Sequence, residues 1–238
     1  VRTAILADIH GNLEALEKFE SHSGTLGIDD YVFLGDAVGY GANPNECFEW
    51  VLEHARIFIL GNHEKAVIDP GLRDWFNDDA REAIIWTAER LDEKYRKEIR
   101  KLPYLCVEQS STFTHGSSDE PEKFRYLMSV YDAQPTFCAL QTPLCFFGHT
   151  HIPGYMADKM RHARYLNSGV LRLKGGESYL LNPGSIGQPR DRDPRLSYGI
   201  YDHEEQTFEI LRVEYDRQKA ADKIRKAGLP EYLAARLL

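Results

Sequence analysis

No apolar tract in the 238 residues is long enough to span a bilayer, so a helical membrane protein is excluded and a globular chain with 42% hydrophobic residues is expected. Cysteine is sparse. Cys47, Cys106, Cys138 and Cys145 are scattered with no C-x-x-C pair, and a chain of this length needs no disulfide staples, which points to a reducing, cytoplasmic setting. The chain opens on Val1 without a charged and apolar leader, which agrees with that setting. Basic residues are outnumbered, 29 Lys and Arg against 37 Asp and Glu for a net charge of -8. This argues against extended nucleic-acid binding, whose affinity comes largely from cations neutralising phosphates, while leaving room for a nucleotide in a local pocket. Repeats, low-complexity tracts and linkers are also missing, and the length suits one domain over residues 1–238.

Against these absences stands one recurring pattern. Five apolar runs each end in a residue of metal-ligating type: Ala4–Ala7 into Asp8-Ile9-His10, Tyr31–Leu34 into Gly35-Asp36, Ile57–Leu60 into Gly61-Asn62-His63-Glu64, Ser111–Thr114 into His115-Gly116, and Leu144–Phe147 into Gly148-His149-Thr150-His151. Short runs rich in Val, Ile, Leu and Phe read as strands buried on both faces. Open α/β sheets gather ligands just beyond the carboxyl ends of such strands, so these residues are expected to converge.

Between the runs lie helices. Leu13, Leu16 and Phe19 recur at helical spacing after the first strand. Asn43-Pro44-Asn45-Glu46 offers an N-cap, a proline at the first helical position and a following glutamate, with Cys47, Trp50, Val51 and His54 on one face and Cys47 and His54 as packing residues. Asp79 to Leu102 reads as a continuing helical pattern stopped by Pro103. In the second half, Arg164–Leu166, Val170–Leu173, Ser178–Leu181, Tyr198–Tyr201 and Phe208–Val213 are strand-like and suggest a second, largely antiparallel sheet. A basic helix from Asp216 to Lys226 and an apolar-faced one with Tyr232, Leu233 and Leu237 close the chain. Packing across a sheet edge is the expectation for this segment, with a homo-oligomer contact or a membrane-surface helix as the other readings.

Singly, each motif is a weak match; their order is specific. Asp-x-His, Gly-Asp-x-x-Gly, Gly-Asn-His-Glu, His-Gly and Gly-His-Thr-His in succession resemble the calcineurin-like metallophosphoesterase superfamily. The stretch from Asn182-Pro183-Gly184-Ser185 to Arg190-Asp191 resembles a loop of its small prokaryotic phosphodiesterase branch. The fold then expected is an α/β four-layer αββα sandwich, two mixed β-sheets flanked by helices. Independently of any family, Asp8, His10, Asp36, Asn62, His115, His149 and His151 are too many oxygen and nitrogen ligands for one ion that must keep a water site, so two divalent ions sharing a carboxylate fit better. The resemblance implies Asp8, His10, Asp36 and His151 around one ion and Asp36, Asn62, His115 and His149 around the other, with Asp36 bridging. Manganese is the first expectation by ligand type, with iron, nickel or zinc as alternatives.

Two divalent ions, two aspartates and a bridging hydroxide leave a net charge of about +1, which suits an anionic phosphoester. The expected reaction is in-line attack of that hydroxide on phosphorus. By resemblance His63 donates the proton to the leaving alkoxide, and Asp36 and Asn62 serve the site as well. Glu64 either orients His63 or caps the following helix. Gly35, Gly61, Gly116 and Gly148 adjoin ligands where a side chain would crowd the site, whereas Gly39 and Gly41 read as ordinary turn glycines. Arg190, and after it Arg125, are the candidate phosphate contacts, and Tyr126 either lines the mouth or packs under its loop. Gly35-Asp36-Ala37-Val38-Gly39-Tyr40 lacks the Asp-Arg pair that follows this motif in the protein Ser/Thr phosphatase branch. A phosphodiesterase acting on a phosphoester small molecule or nucleotide is therefore favoured. The alternatives are a phosphomonoesterase, a phosphoprotein or dinucleoside-polyphosphate phosphatase, and a non-catalytic scaffold of the same fold.

Overall fold

A computed structural model describes all 238 residues. The first half alternates strand and helix: β1 (Arg2–Leu6), α1 (Leu13–Ser23), β2 (Asp30–Phe33), α2 (Pro44–His54), β3 (Ala55–Phe58), then α3 (Asn62–Ile68), α4 (Asp78–Arg90) and α5 (Glu93–Ile99). There follow β4 (Leu105–Glu108), β5 (Ser111–Thr114), α6 (Val130–Ala139), β6 (Leu144–Phe147), β7 (Gly154–Ala157), β8 (Arg164–Tyr165), β9 (Gly169–Arg172) and β10 (Tyr179–Asn182). The chain ends with β11 (Leu196–Asp202), β12 (Thr207–Val213), α7 (Arg217–Lys226) and α8 (Glu231–Ala235). The strands form two six-stranded mixed sheets, in the orders β3-β2-β1-β11-β12-β9 and β4-β5-β6-β10-β7-β8, flanked by helices.

The strand period of two sends alternate side chains of the central strands to opposite faces, and both faces are buried there. Ile5, Ala7, Val32, Leu34 and Ile57 of the first sheet pack against Phe113, Leu144, Phe146 and Leu181 of the second. Their neighbours Ala4, Leu6 and Phe33 point the other way, under the helices. On the far side of the second sheet, Cys145, Phe147 and Leu180 meet Ala133 of α6.

Five expectations are corrected. The strand-like segments of the second half do not make a sheet of their own. Instead β11 lies antiparallel beside β1 and carries β12 and β9 with it, while β10 is parallel to β6 and carries β7 and β8. Burial explains the split, since six of the seven residues of β11 are buried, as only a strand inside a sandwich can be. The pattern from Asp79 to Leu102 is two helices. Leu91 leaves α4 with extended backbone, and the turn at Asp92 lets Leu91, Tyr95 and Ile99 all reach the core. In α2, Phe48 takes the inward place expected of His54, which is exposed and stacks on Trp50. Gly39 and Gly41 are not ordinary turn glycines: a Cβ on Gly39 would lie 2.1 Å from His63 Nδ1, and one on Gly41 2.5 Å from the His10 carbonyl. The C-terminal segment is packed, with α7 lying on α1 and not across a sheet edge. Ala220, Ala221, Ile224, Leu229, Leu233 and Leu237 are buried in the helical layer, and no helix is long and apolar enough to cross a membrane.

Phe146 is fully buried between the sheets, with ring centroids of Phe113, Tyr201 and Phe208 at 5.4, 5.5 and 5.8 Å. Phe146→Ala should cost about 3–5 kcal/mol, read as a lower urea midpoint at unchanged slope. A loss under about 1 kcal/mol would mean that the joint between the sheets is not a packed core.

Candidate metal centre

The parallel strands β1, β2 and β3 of one sheet and β5 and β6 of the other end toward a common point, and their following loops carry the expected ligands. These loops are held by backbone hydrogen bonds, Asp8 N–H to Gly35 O at 3.0 Å and His10 N–H to Asp36 O at 2.9 Å among them. Asp8, His10, Asp36, His149 and His151 all have positive φ, between 52° and 66°. That is a costly backbone for non-glycine residues, and it clusters here because each loop must turn back sharply to aim its side chain inward.

Two groups of ligand atoms result, each within 4.8 Å: Asp8, His10 and His151, and Asp36, His115 and His149. Asn62 joins the second through its Oδ1, 2.9 Å from His115 Nε2. Asp36 lies between them. Its Oδ1 accepts the His63 N–H at 2.9 Å, which leaves Oδ2 3.7 Å from His10 Nε2 and 3.3 Å from His115 Nε2. His63 is also within 4.8 Å of His10 and Asp36. All seven expected ligands are thus brought together.

The histidine geometry shows that the groups fit cations. His10 Nδ1 donates to Val38 O at 3.1 Å and His151 Nδ1 to Gln188 O at 2.6 Å, so in each neutral ring Nε2 carries a bare lone pair. Burial holds both rings well below the usual histidine range, hence neutral. Yet the two Nε2 atoms face each other at 3.1 Å with no proton to share. Two nitrogens bound to one transition-metal ion at ~2.1 Å lie roughly 3.0–3.4 Å apart, so a cation resolves the clash of lone pairs. His115 Nε2 and His149 Nδ1 repeat the spacing at 3.1 Å, with His115 Nδ1 bonded to Leu34 O at 2.7 Å.

Glu64 caps rather than orients. Its Oε2 accepts the N–H groups of Asp36 at 2.8 Å and Gly61 at 3.1 Å, and its Oε1 that of Val38 at 3.0 Å, so it fixes the loop carrying Asp36 and makes no bond to His63. His63 packs edge-on against Tyr40 and Phe76, with its Nδ1 buried and unpartnered. Gly61 must stay small, for a Cβ there would stand 2.1 Å from Asp36 Oδ1. The loop after β10 closes the site from behind: Asn182 Nδ2 donates to Gly148 O and Thr150 Oγ1, and Ser185 Oγ to Asp8 O.

The ligands open into a cleft of about 590 Å³. Arg190 lines it, bonded at 3.2 Å to both the Tyr40 hydroxyl and Gln188 Oε1. Arg125 lines it too, but its guanidinium is paired with Asp119 and Glu120. Tyr126 is half-exposed at the mouth and stacked on His149, centroids 3.8 Å apart, not packed under its loop. Sequence reasoning missed Tyr40 and Gln188; each lies six or more residues beyond the end of its strand, and the one available signal was the tyrosine directly after the Gly-Asp-x-x-Gly motif.

Residues 1–206 match the calcineurin-like phosphoesterase superfamily domain. The chain belongs to that superfamily. It is 38% identical to an uncharacterised protein of Methanocaldococcus jannaschii, over 98% of this chain and 96% of the other. A metallophosphoesterase from Sphaerobacter thermophilus superposes with a TM-score of 0.89 at 38% identity, covering all of this chain and 98% of that one. A hypothetical protein from Pyrococcus horikoshii shares the fold at 22% identity and a TM-score of 0.81, covering 99% and 97% of the two chains. The membership makes this phosphoesterase domain a metal-dependent hydrolase of phosphoesters, with the clustered Asp and His residues as its candidate dinuclear site.

With protein groups alone, burial pushes the Asp8 carboxyl up to about 8. Burial also opposes charge on His115, but the Asp36 carboxylate beside it prevails and raises that ring to about 9. A metal ion must displace both protons, so its affinity should rise from pH 6 to pH 9 and its uptake near pH 7.5 should release protons. Calorimetry of Mn²⁺ binding in buffers of different ionisation heat measures this; affinity flat over that range, with no proton release, would contradict it.

Proposed function

We propose that this phosphoesterase is a dinuclear-metal phosphodiesterase. Asp8, His10, Asp36 and His151 hold one ion and Asp36, Asn62, His115 and His149 the other. The observation that carries the reading is the place of Asp36 Oδ2, within 3.7 Å of His10 Nε2 and 3.3 Å of His115 Nε2, where one carboxylate oxygen serves both histidine groups. A scaffold would have no need for so many buried ligands on strained backbone. Bound divalent ions supply an activated water nucleophile and offset the charge that builds on the phosphoryl oxygens.

The chain's own residues do the rest. Arg190, aimed by Tyr40 and Gln188, pairs with a phosphoryl oxygen, and Asn62 orients the same group. Arg125 shapes the wall, its charge already engaged by two carboxylates. His63 is the proton donor to the leaving oxygen. Burial pushes that ring down to about 4, so it is neutral near pH 7 until an anionic phosphate beside it favours the charged form. His63→Ala should then keep its metal content and lose turnover according to leaving group. The loss should be small for a nitrophenyl ester and about hundred- to ten-thousandfold for an alkyl ester. Equal losses on both would make His63 a positioning residue.

Diester preference rests on the missing arginine after Asp36 and on a cleft with room for an organic group on each side of the phosphate. Arg190 favours the second reading, because a guanidinium in the cleft can meet the extra charge of a monoester dianion. Steady-state kinetics with Mn²⁺ decide between them. A higher kcat/KM for bis-nitrophenyl phosphate than for nitrophenyl phosphate is expected, and the reverse order would make the protein a phosphomonoesterase.

A further inference from the structure

The phosphate of any substrate occupies the part of the cleft against the metal ligands, but the cleft continues past them. Its further lining includes the 3₁₀ turn Pro70–Trp75 before α4, and α8 with Arg236 after it. Trp75 ends that turn, 73% exposed and stacked on no other ring. Tyr232 stands on α8, 54% exposed, with the Arg236 guanidinium 5.6 Å from its ring centroid and 3.1 Å from its hydroxyl. The two other tryptophans are half-buried, and their indole N–H groups are bonded to Glu20 and to the Ala227 carbonyl. Trp75 alone leaves its ring open to solvent, and it does so in a cleft whose volume is that of a small-molecule site.

We infer that Trp75, Tyr232 and Arg236 form a subsite for a planar heterocyclic arm of the substrate, so that the diester hydrolysed is a nucleoside phosphodiester. Two exposed π-faces lining one cleft suit a flat ring, since every nucleobase has a face on which an aromatic side chain can stack. Arg236 adds a fork of donors for the ring's carbonyl and nitrogen acceptors, and a cation that itself stacks. A flexible polyol arm, such as glycerol, would gain little from either tyrosine or tryptophan. The inference rests on the phosphodiesterase reading for its reaction, but binding at the subsite can be measured without turnover.

The test compares two diesters with the same nitrophenolate leaving group, thymidine 5′-nitrophenyl phosphate and methyl nitrophenyl phosphate, on the Mn²⁺-loaded enzyme. The nucleoside ester should have the higher kcat/KM by about tenfold or more, mainly through KM. Trp75→Leu and Tyr232→Leu should each bring that ratio toward one, with thermal unfolding confirming that the variants fold. Separately, thymidine 5′-monophosphate should quench the tryptophan fluorescence of the wild type and not that of Trp75→Leu. Equal kcat/KM for the two esters in the wild type, or a nucleoside preference that survives both substitutions, overturns the subsite. If neither ester is hydrolysed but the quenching is present and lost in Trp75→Leu, the subsite stands and the diesterase reading fails.

Discussion

The placement of Asp36 is the constraint on which the rest of the structure turns. A carboxylate fully buried among other ionisable groups is costly unless cations or donors surround it. Here one oxygen is held by the His63 backbone and the other left pointing between two histidine groups, while Glu64 ties the loop at Asp36, Val38 and Gly61. Glu64 is itself wholly buried, and burial pushes it up to about 7, a second unfavourable charge accepted only because three backbone N–H groups converge on it. Burial works against charge on Asp36 too, yet His115 and His63 hold it well below the usual carboxylate range. The residue that best suits a bridge between cations is therefore the one the protein keeps ionised.

This arrangement makes the site a property of the joint between the sheets. Asp8, His10, Asp36 and Asn62 follow strands of the first sheet, and His115, His149 and His151 follow strands of the second. Neither sheet alone completes either group of ligands. A shift of one sheet against the other by an ångström would open the 3.1 Å spacing between His10 and His151 and the 3.3 Å one between Asp36 Oδ2 and His115 Nε2. The inter-sheet core of Ile5, Val32, Phe113, Phe146 and Leu181 fixes that relation, and so do Asn182 and Ser185, which bond the ligand loops of both sheets. Cations held across the joint would in turn bind the sheets together, so packing and metal affinity are two measures of one geometry.

What could be read from the residues follows the same division. The convergence of the candidate ligands was legible because each follows a short strand buried toward its carboxyl end, a pattern that local sequence displays. The sheet to which β10 and β11 belong was not legible, because strand order depends on which edges remain free at β1 and β6 and no local period records it. Gly39 was read as a turn residue because its partner, His63, is far along the chain and reaches it only in the folded state. Glu64 looked equally suited to two roles, and only the positions of three backbone N–H groups decided between them.

Residues on irregular segments were the least legible, Gln188, Trp75 and Arg236 going unnamed and Arg190 and Tyr126 standing only as candidates, and on the function proposed above they govern which phosphoester enters. Arg190 and Gln188 lie on the loop after β10, Tyr126 after β5, Trp75 on a 3₁₀ turn and Arg236 after the last helix. None follows from strand periodicity; Tyr126 stacks on His149 and the Gln188 carbonyl holds His151 Nδ1, whereas Trp75 is stacked on no ring and Arg236 is bonded to Tyr232, so these last two can change without disturbing the ligand geometry. The ligands, by contrast, are fixed by left-handed backbone, close glycines and buried hydrogen bonds that allow almost no substitution. On the function proposed above, chemistry and selectivity are therefore carried by different parts of the chain, the first by strand ends at the sheet joint and the second by loops and a C-terminal helix that line the cleft.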